Sequence, residues 1–175
     1  PYGTFFLVVV NCIKNSKDLI KCDALIIPGG ESTTMSLLID KYSLFEDILN
    51  FSTNKSLFGT CAGSILMSKE SNDIKIRNFN CINLSTKRNA WGSQINSFND
   101  DIVFDDSFNI NKYDDYYATF IRAPQYYNIN DDCTILARYK NEPVLIRNSR
   151  HLISSFHPEI NKDLCVYKYF LKMIY

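Results

Sequence analysis

The stretch Ser56-Leu57-Phe58-Gly59-Thr60-Cys61-Ala62-Gly63-Ser64-Ile65-Leu66-Met67 passes from an apolar run into a helical pattern through a cysteine framed by two glycines. A side chain that must stand clear of the backbone at a sharp strand-to-helix turn needs neighbours without Cβ atoms, because the two chain segments pass too close there. The segment therefore predicts a strand near Ser56 to Gly59, a nucleophile elbow at Cys61 and a helix over residues 62–69. The positive end of that helix favours the thiolate, the nucleophilic form of the side chain. Taken alone, the segment also reads as a buried structural cysteine in a Gly-rich turn.

Working outward, Ala24-Leu25-Ile26-Ile27 is a continuous apolar run, the mark of a strand buried on both faces, and it empties into Pro28-Gly29-Gly30-Glu31-Ser32-Thr33-Thr34. Two glycines let the backbone approach a ligand, and their amides can point at a developing oxyanion. Ser32, Thr33 and Thr34 offer N-caps for a helix over residues 33–50, where Met35, Leu37, Leu38 and Ile39 begin the apolar pattern. Downstream, Leu152-Ile153-Ser154-Ser155-Phe156 runs into His157-Pro158-Glu159. In extended backbone, residues i and i+2 face one way, and Pro158 biases His157 away from helix. His157 then suits a general base and acid, with Glu159 orienting the ring, so Cys61, His157 and Glu159 make a candidate triad. The only other histidine, His151, sits in the polar turn Asn148-Ser149-Arg150-His151 and has no comparable arrangement.

Further strands are expected near Phe5 to Val10, Tyr117 to Ile121, Thr134 to Tyr139, Val144 to Asn148 and Leu152 to Phe156. Leu164, Tyr167, Leu171 and Ile174 stripe a closing helix. Residues 70–116, rich in Asn, Asp and Ser, read as loops and short strands. Strand-helix alternation first and consecutive strands later give an α/β fold: a flavodoxin-like three-layer sandwich whose mixed, mostly parallel sheet carries helices on both faces. The elbow and the Gly-Gly loop both follow C-terminal strand ends, where open α/β sheets place their sites.

The chain has 175 residues, 46% of them hydrophobic, which fits one packed domain over 1–175. Its 19 basic and 19 acidic residues cancel, which argues against nucleic-acid binding through a basic face. No apolar stretch reaches the roughly 18 residues of a membrane span. Six cysteines show no C-x-x-C pair and no framework spacing, so reduced thiols in a cytoplasm are expected. No His/Cys spacing suggests a metal site.

With these sites in hand, the chain resembles the class I (triad) glutamine amidotransferases, and within them the glutaminase subunits of pyridoxal 5′-phosphate synthase. The resemblance rests on Pro28-Gly29-Gly30-Glu31-Ser32-Thr33, Gly59-Thr60-Cys61-Ala62-Gly63, Arg88-Asn89-Ala90-Trp91-Gly92, Phe120-Ile121-Arg122-Ala123-Pro124 and Phe156-His157-Pro158-Glu159. It implies Cys61 as nucleophile, His157 as general base and acid, and Glu159 as the residue orienting His157. It further implies that Gly30, Glu31, Ser32, Arg88, Ile121 and Arg122 contact L-glutamine, and that amides of Gly29, Gly30 and Ala62 hold the oxyanion. A guanidinium suits the substrate's carboxylate as a two-pronged partner. The implied reaction is hydrolysis of glutamine to glutamate and ammonia, with the ammonia passed to a synthase subunit that builds pyridoxal 5′-phosphate. That chemistry calls for no metal or organic cofactor, no nucleic acid and no membrane.

Two departures stand out. Members of the family open with a glycine-rich strand and a helix before the strand that matches Phe5 to Val10, and these are missing ahead of Pro1, so an N-terminally truncated domain is expected. Ser93 stands where the family usually has Arg. Two other readings follow: a catalytically impaired subunit that still docks on the synthase, and a stand-alone flavodoxin-like cysteine hydrolase, which would not need Glu31, Arg88 and Arg122.

Overall fold

The computed structural model describes residues 8–91, 97–109 and 116–175. Five helices, α1 (Ser16–Leu19), α2 (Ser32–Lys41), α3 (Phe45–Ser52), α4 (Ala62–Met67) and α5 (Cys165–Ile174), accompany ten strands among these residues. The strands are β1 (Ala24–Ile27), β2 (Ser56–Thr60), β3 (Ser68–Ser71), β4 (Ile82–Lys87), β5 (Phe98–Phe104), β6 (Tyr116–Phe120), β7 (Gln125–Tyr127), β8 (Thr134–Tyr139), β9 (Glu142–Arg147) and β10 (Leu152–Ser154). The main sheet runs β1-β2-β10-β9-β8-β5-β6, and a smaller one runs β3-β4-β7.

The expected α/β fold with a mixed sheet is present, and its parallel part is compact. β1, β2 and β10 pair in parallel, in the register Ile27 to Gly59 and Ser154 to Thr60, while β9, β8, β5 and β6 continue antiparallel. Antiparallel pairing therefore takes a larger share than a mostly parallel sheet would give it. Successive residues on a strand face opposite sides, so the sheet divides two cores. Phe58, Leu145 and Leu152 pack with Val166, Tyr169 and Phe170 of α5 on one face. Leu57, Ile146 and Ile153 pack with Leu19, Phe45, Ile48, Ile65 and Leu66 of α1, α3 and α4 on the other. Burying each of these large side chains contributes roughly 1.5–3 kcal/mol.

Three expectations change. The helix over residues 33–50 is two helices, because Ser43 takes φ 54° and Leu44 N donates to Ile39 O in a left-handed C-terminal turn. β1 is not buried on both faces: it is the edge of the main sheet among the described strands, and Ile26 is 43% exposed. Val8, Val9 and Val10 form no strand and are exposed, while the rest of the expected strand, Phe5 to Leu7, lies outside the described residues, as do Gly92 and Ser93.

The second histidine has a structural task at the end of the sheet away from Cys61. Leu57 N donates to Nδ1 of buried His151 at 3.2 Å. Burial first, and the neighbouring Arg150 charge second, push the His151 pKa down from 6.5 to about 4. The unfolded chain therefore binds a proton that the folded one refuses, so stability present above pH 6.5 is lost as pH falls toward 4. Unfolding free energy measured between pH 7 and 4.5 is expected to decline by up to about 3 kcal/mol through this group. The decline should vanish in His151→Asn, and a slope unchanged by that substitution would assign it elsewhere.

Candidate active site

Close packing fixes the elbow. A Cβ on Gly63 would lie 1.9 Å from Ile27 O, and one on Gly59 would lie 2.7 Å from the Gly63 carbonyl carbon, so β1, β2 and α4 meet where only glycine fits. Between them Cys61 adopts φ 47° and ψ −106°, a conformation that L side chains rarely take. The strained turn is held by Cys61 N donating to Ser154 O at 2.8 Å and by Ser64 Oγ donating to Cys61 O at 2.7 Å. Ala62 opens α4, so its N–H has no acceptor within the helix. The Cys61 thiol is buried and donates to Ile121 O at 3.5 Å, which brings Ile121 to the nucleophile through its backbone.

His157 arrives from beyond β10. Its N–H donates to Thr119 O at 2.8 Å, and its Nδ1 meets Glu159 Oε1 at 2.7 Å. The pairing expected for extended backbone is achieved instead by a tight turn, because Pro158–Ile160 forms a single 3-10 turn. Burial works to lower the His157 pKa, but hydrogen bonding and charge from Cys61 and Glu159 outweigh it and raise the value to about 9. Cys61 contributes although its Sγ makes no well-aligned hydrogen bond to Nε2, which is buried and has no hydrogen-bond partner among the described residues. Burial tends to raise the Glu159 pKa, yet the His157 contact and its own backbone N–H hold it below the ordinary carboxylate value. The Gly29 backbone lies against this ring: a Cβ there would sit 2.4 Å from His157 Cε1.

Two residues beyond Gly29, the expected capping pattern is corrected. The α2 N-cap is Glu31, not Ser32, Thr33 or Thr34, and its carboxylate accepts from Thr33 N at 3.2 Å and Thr34 N at 2.6 Å. The Thr34 bonds are the main reason its pKa falls to about 2. Glu31 Oε1 also accepts from Arg88 Nη2 at 2.8 Å. Arg88 is thus no free surface charge; its other nitrogen Nη1 donates to Thr33 Oγ1 at 3.0 Å and pairs with Asp73. Asp73 was not legible in the sequence, where Asn72-Asp73 looks like any polar turn. Ser32 is buried at the start of α2, and Arg122 is exposed at φ 47° with no side-chain hydrogen bond or ion pair among the described residues. No group of three or more His, Cys, Asp or Glu that could hold a metal occurs among them.

Comparison with known proteins points one way. A model of the SNO glutamine amidotransferase family matches residues 6–175. The pyridoxal 5′-phosphate synthase subunit PdxT of Francisella tularensis subsp. holarctica (strain FTNF002-00 / FTA) is 43% identical over 166 residues, 95% of this chain and 86% of that one. PdxT of subspecies novicida (strain U112) is 42% identical over the same shares. A crystal structure of a glutamine amidotransferase superposes with a TM-score of 0.84 at 33% identity, covering 93% of this chain and 84% of its own. A putative GMP synthase protein from Thermoplasma acidophilum shares the fold, with a TM-score of 0.62 at 15% identity, covering 91% and 76%. The family match runs through the elbow, the Gly-Gly loop and the His-Pro-Glu turn alike, and on that extent the chain belongs to the SNO glutamine amidotransferase family.

Proposed function

We propose that residues 1–175 form one glutaminase domain that hydrolyses L-glutamine to L-glutamate and ammonia and hands the ammonia to the synthase subunit of pyridoxal 5′-phosphate synthase. The observation that carries this reading is the strained Cys61 beside a His157 ring that Glu159 holds at 2.7 Å. Membership in the family and the PdxT likeness support both the substrate and the partner.

Cys61 acts as nucleophile: its thiolate attacks the carboxamide carbon, and the tetrahedral oxyanion is taken by the Ala62 N–H and the amides of Gly29-Gly30. A ring that keeps its proton up to about pH 9 is the acid the departing ammonia needs, so His157 donates it as the C–N bond breaks. His157 then takes a proton from water, whose oxygen cleaves the thioester to release glutamate and restore Cys61. Glu159 holds the ring's orientation through Nδ1, which leaves Nε2 directed to the nucleophile. Gly30, Glu31, Ser32, Arg88, Ile121 and Arg122 contact the substrate. The six cysteines are free thiols, in keeping with work in the cytoplasm, and no described helix is long and apolar enough to cross a membrane.

Glutamate release from L-glutamine by the purified chain is the test, run with and without the synthase subunit. Turnover that rises when the synthase is added is the expected result. A folded chain that releases no glutamate with the synthase present would reduce the protein to a docking subunit.

A further inference from the structure

The Arg88 guanidinium has five N–H donors. Nη1 gives two, to Thr33 Oγ1 and Asp73 Oδ2, and Nη2 gives one, to Glu31 Oε1. Among the described residues, two of the five make no hydrogen bond, the N–H of Nε and one N–H of Nη2. Nε and Nη2 form one edge of the planar group, the edge that takes a carboxylate as a two-pronged partner. The surrounding bonds fix it in place: Thr33 Oγ1 also donates to Asp73 Oδ2 at 3.3 Å, Lys75 N donates to Asp73 Oδ1 at 3.0 Å, and Arg88 N donates to Asn72 Oδ1 at 3.0 Å. The cluster stands beside the triad, since Glu31 follows Gly29 by two residues and Gly29 abuts the His157 ring.

Charge counting adds a consequence. One guanidinium between two carboxylates leaves the cluster with a net charge of about −1. A ligand bringing only a carboxylate meets that excess, whereas an α-amino acid brings an ammonium that offsets it. We propose that Asp73 is a specificity-determining residue of the glutamine site: it holds the free edge of Arg88 and supplies the negative charge that selects a substrate carrying an α-ammonium.

This inference rests on the glutaminase reading, and the assay separates the two. The complex with the synthase subunit is given L-glutamine or its desamino analogue, 4-carbamoylbutanoate, and kcat and KM are measured for each. In Asp73→Asn, KM for L-glutamine is expected to rise about tenfold with kcat within about twofold, the scale of one charge-assisted contact. The analogue should lose nothing, so the preference for glutamine falls about tenfold. Thr33→Val removes a bridge but no charge, and it should weaken both substrates alike. Asp73→Ser, a second uncharged variant at the same loop position, should lower the preference as Asn does. A preference kept by either folded, active Asp73 variant would overturn the proposal, as would equal loss on both substrates. A wild-type complex that hydrolyses no glutamine would instead be the failure of the glutaminase reading.

Discussion

Cys61→Ala is expected to remove glutamate release almost completely, by a factor of about 10⁴ or more in kcat. The size follows from the role: without a thiolate there is no acyl intermediate, and the remaining groups, His157, Glu159 and the backbone donors, can only assist direct attack by water. The substitution is also clean. Among the described residues Sγ makes one hydrogen bond, the 3.5 Å bond to Ile121 O, so its loss leaves the packing of β2 and α4 in place. The backbone conformation at φ 47° is imposed by Gly59, Gly63 and the Ser154 contact, not by the thiol. Circular dichroism and the melting temperature should therefore stay near those of the wild type, and binding of L-glutamine should persist. A variant that still turns over glutamine within about tenfold of wild type would sink Cys61 as nucleophile.

The parts of this protein legible in its sequence are those where one residue type answers to one geometric demand. Gly59 and Gly63 signal the elbow because no other residue fits against Ile27 and Gly63. Pro158 signals that His157 leaves the helical region, although the 3-10 turn over Pro158–Ile160 that brings His157 to Glu159 is not legible in it. Strand-helix alternation in the first half of the chain tells of a sheet with helices on both faces, and helices do cover both. What stayed hidden depends on contacts between residues far apart in the chain. Asp73 meets Arg88 across 15 positions and Thr33 across 40, and no local pattern announces such a meeting. The break at Ser43 was hidden for another reason: glycine is the usual resident of a left-handed C-terminal turn, and serine there gives no signal. The exposure of Ile26 follows from the order of strands in the sheet, which apolar content does not encode. In the sequence Glu31 signals no cap, because caps are usually short side chains; a carboxylate one methylene longer than Asp does the same work while still reaching Arg88.

Gly63→Ala should show how little room the elbow has. The new Cβ would lie 1.9 Å from Ile27 O and 2.7 Å from its carbonyl carbon, inside any van der Waals contact. Neither atom can yield alone, since Ile27 is held in register against Gly59, which itself abuts Gly63. The gain in helix propensity from Gly to Ala is about 1 kcal/mol at most, while overpacking a close backbone contact costs about 3 kcal/mol or more. The clash wins. For a chain of this length a net loss of about 2–3 kcal/mol lowers the melting temperature by about 4–12 °C. Relief requires α4 to move away from β1, and α4 carries the Ala62 N–H at its first position, so the oxyanion donor shifts with it. Glutamate release should accordingly fall even at temperatures where the variant is folded, by about 10²-fold for a displacement near 1 Å. An alanine variant with the melting temperature and kcat of the wild type would show that β1 and α4 are not in the backbone contact on which the elbow depends.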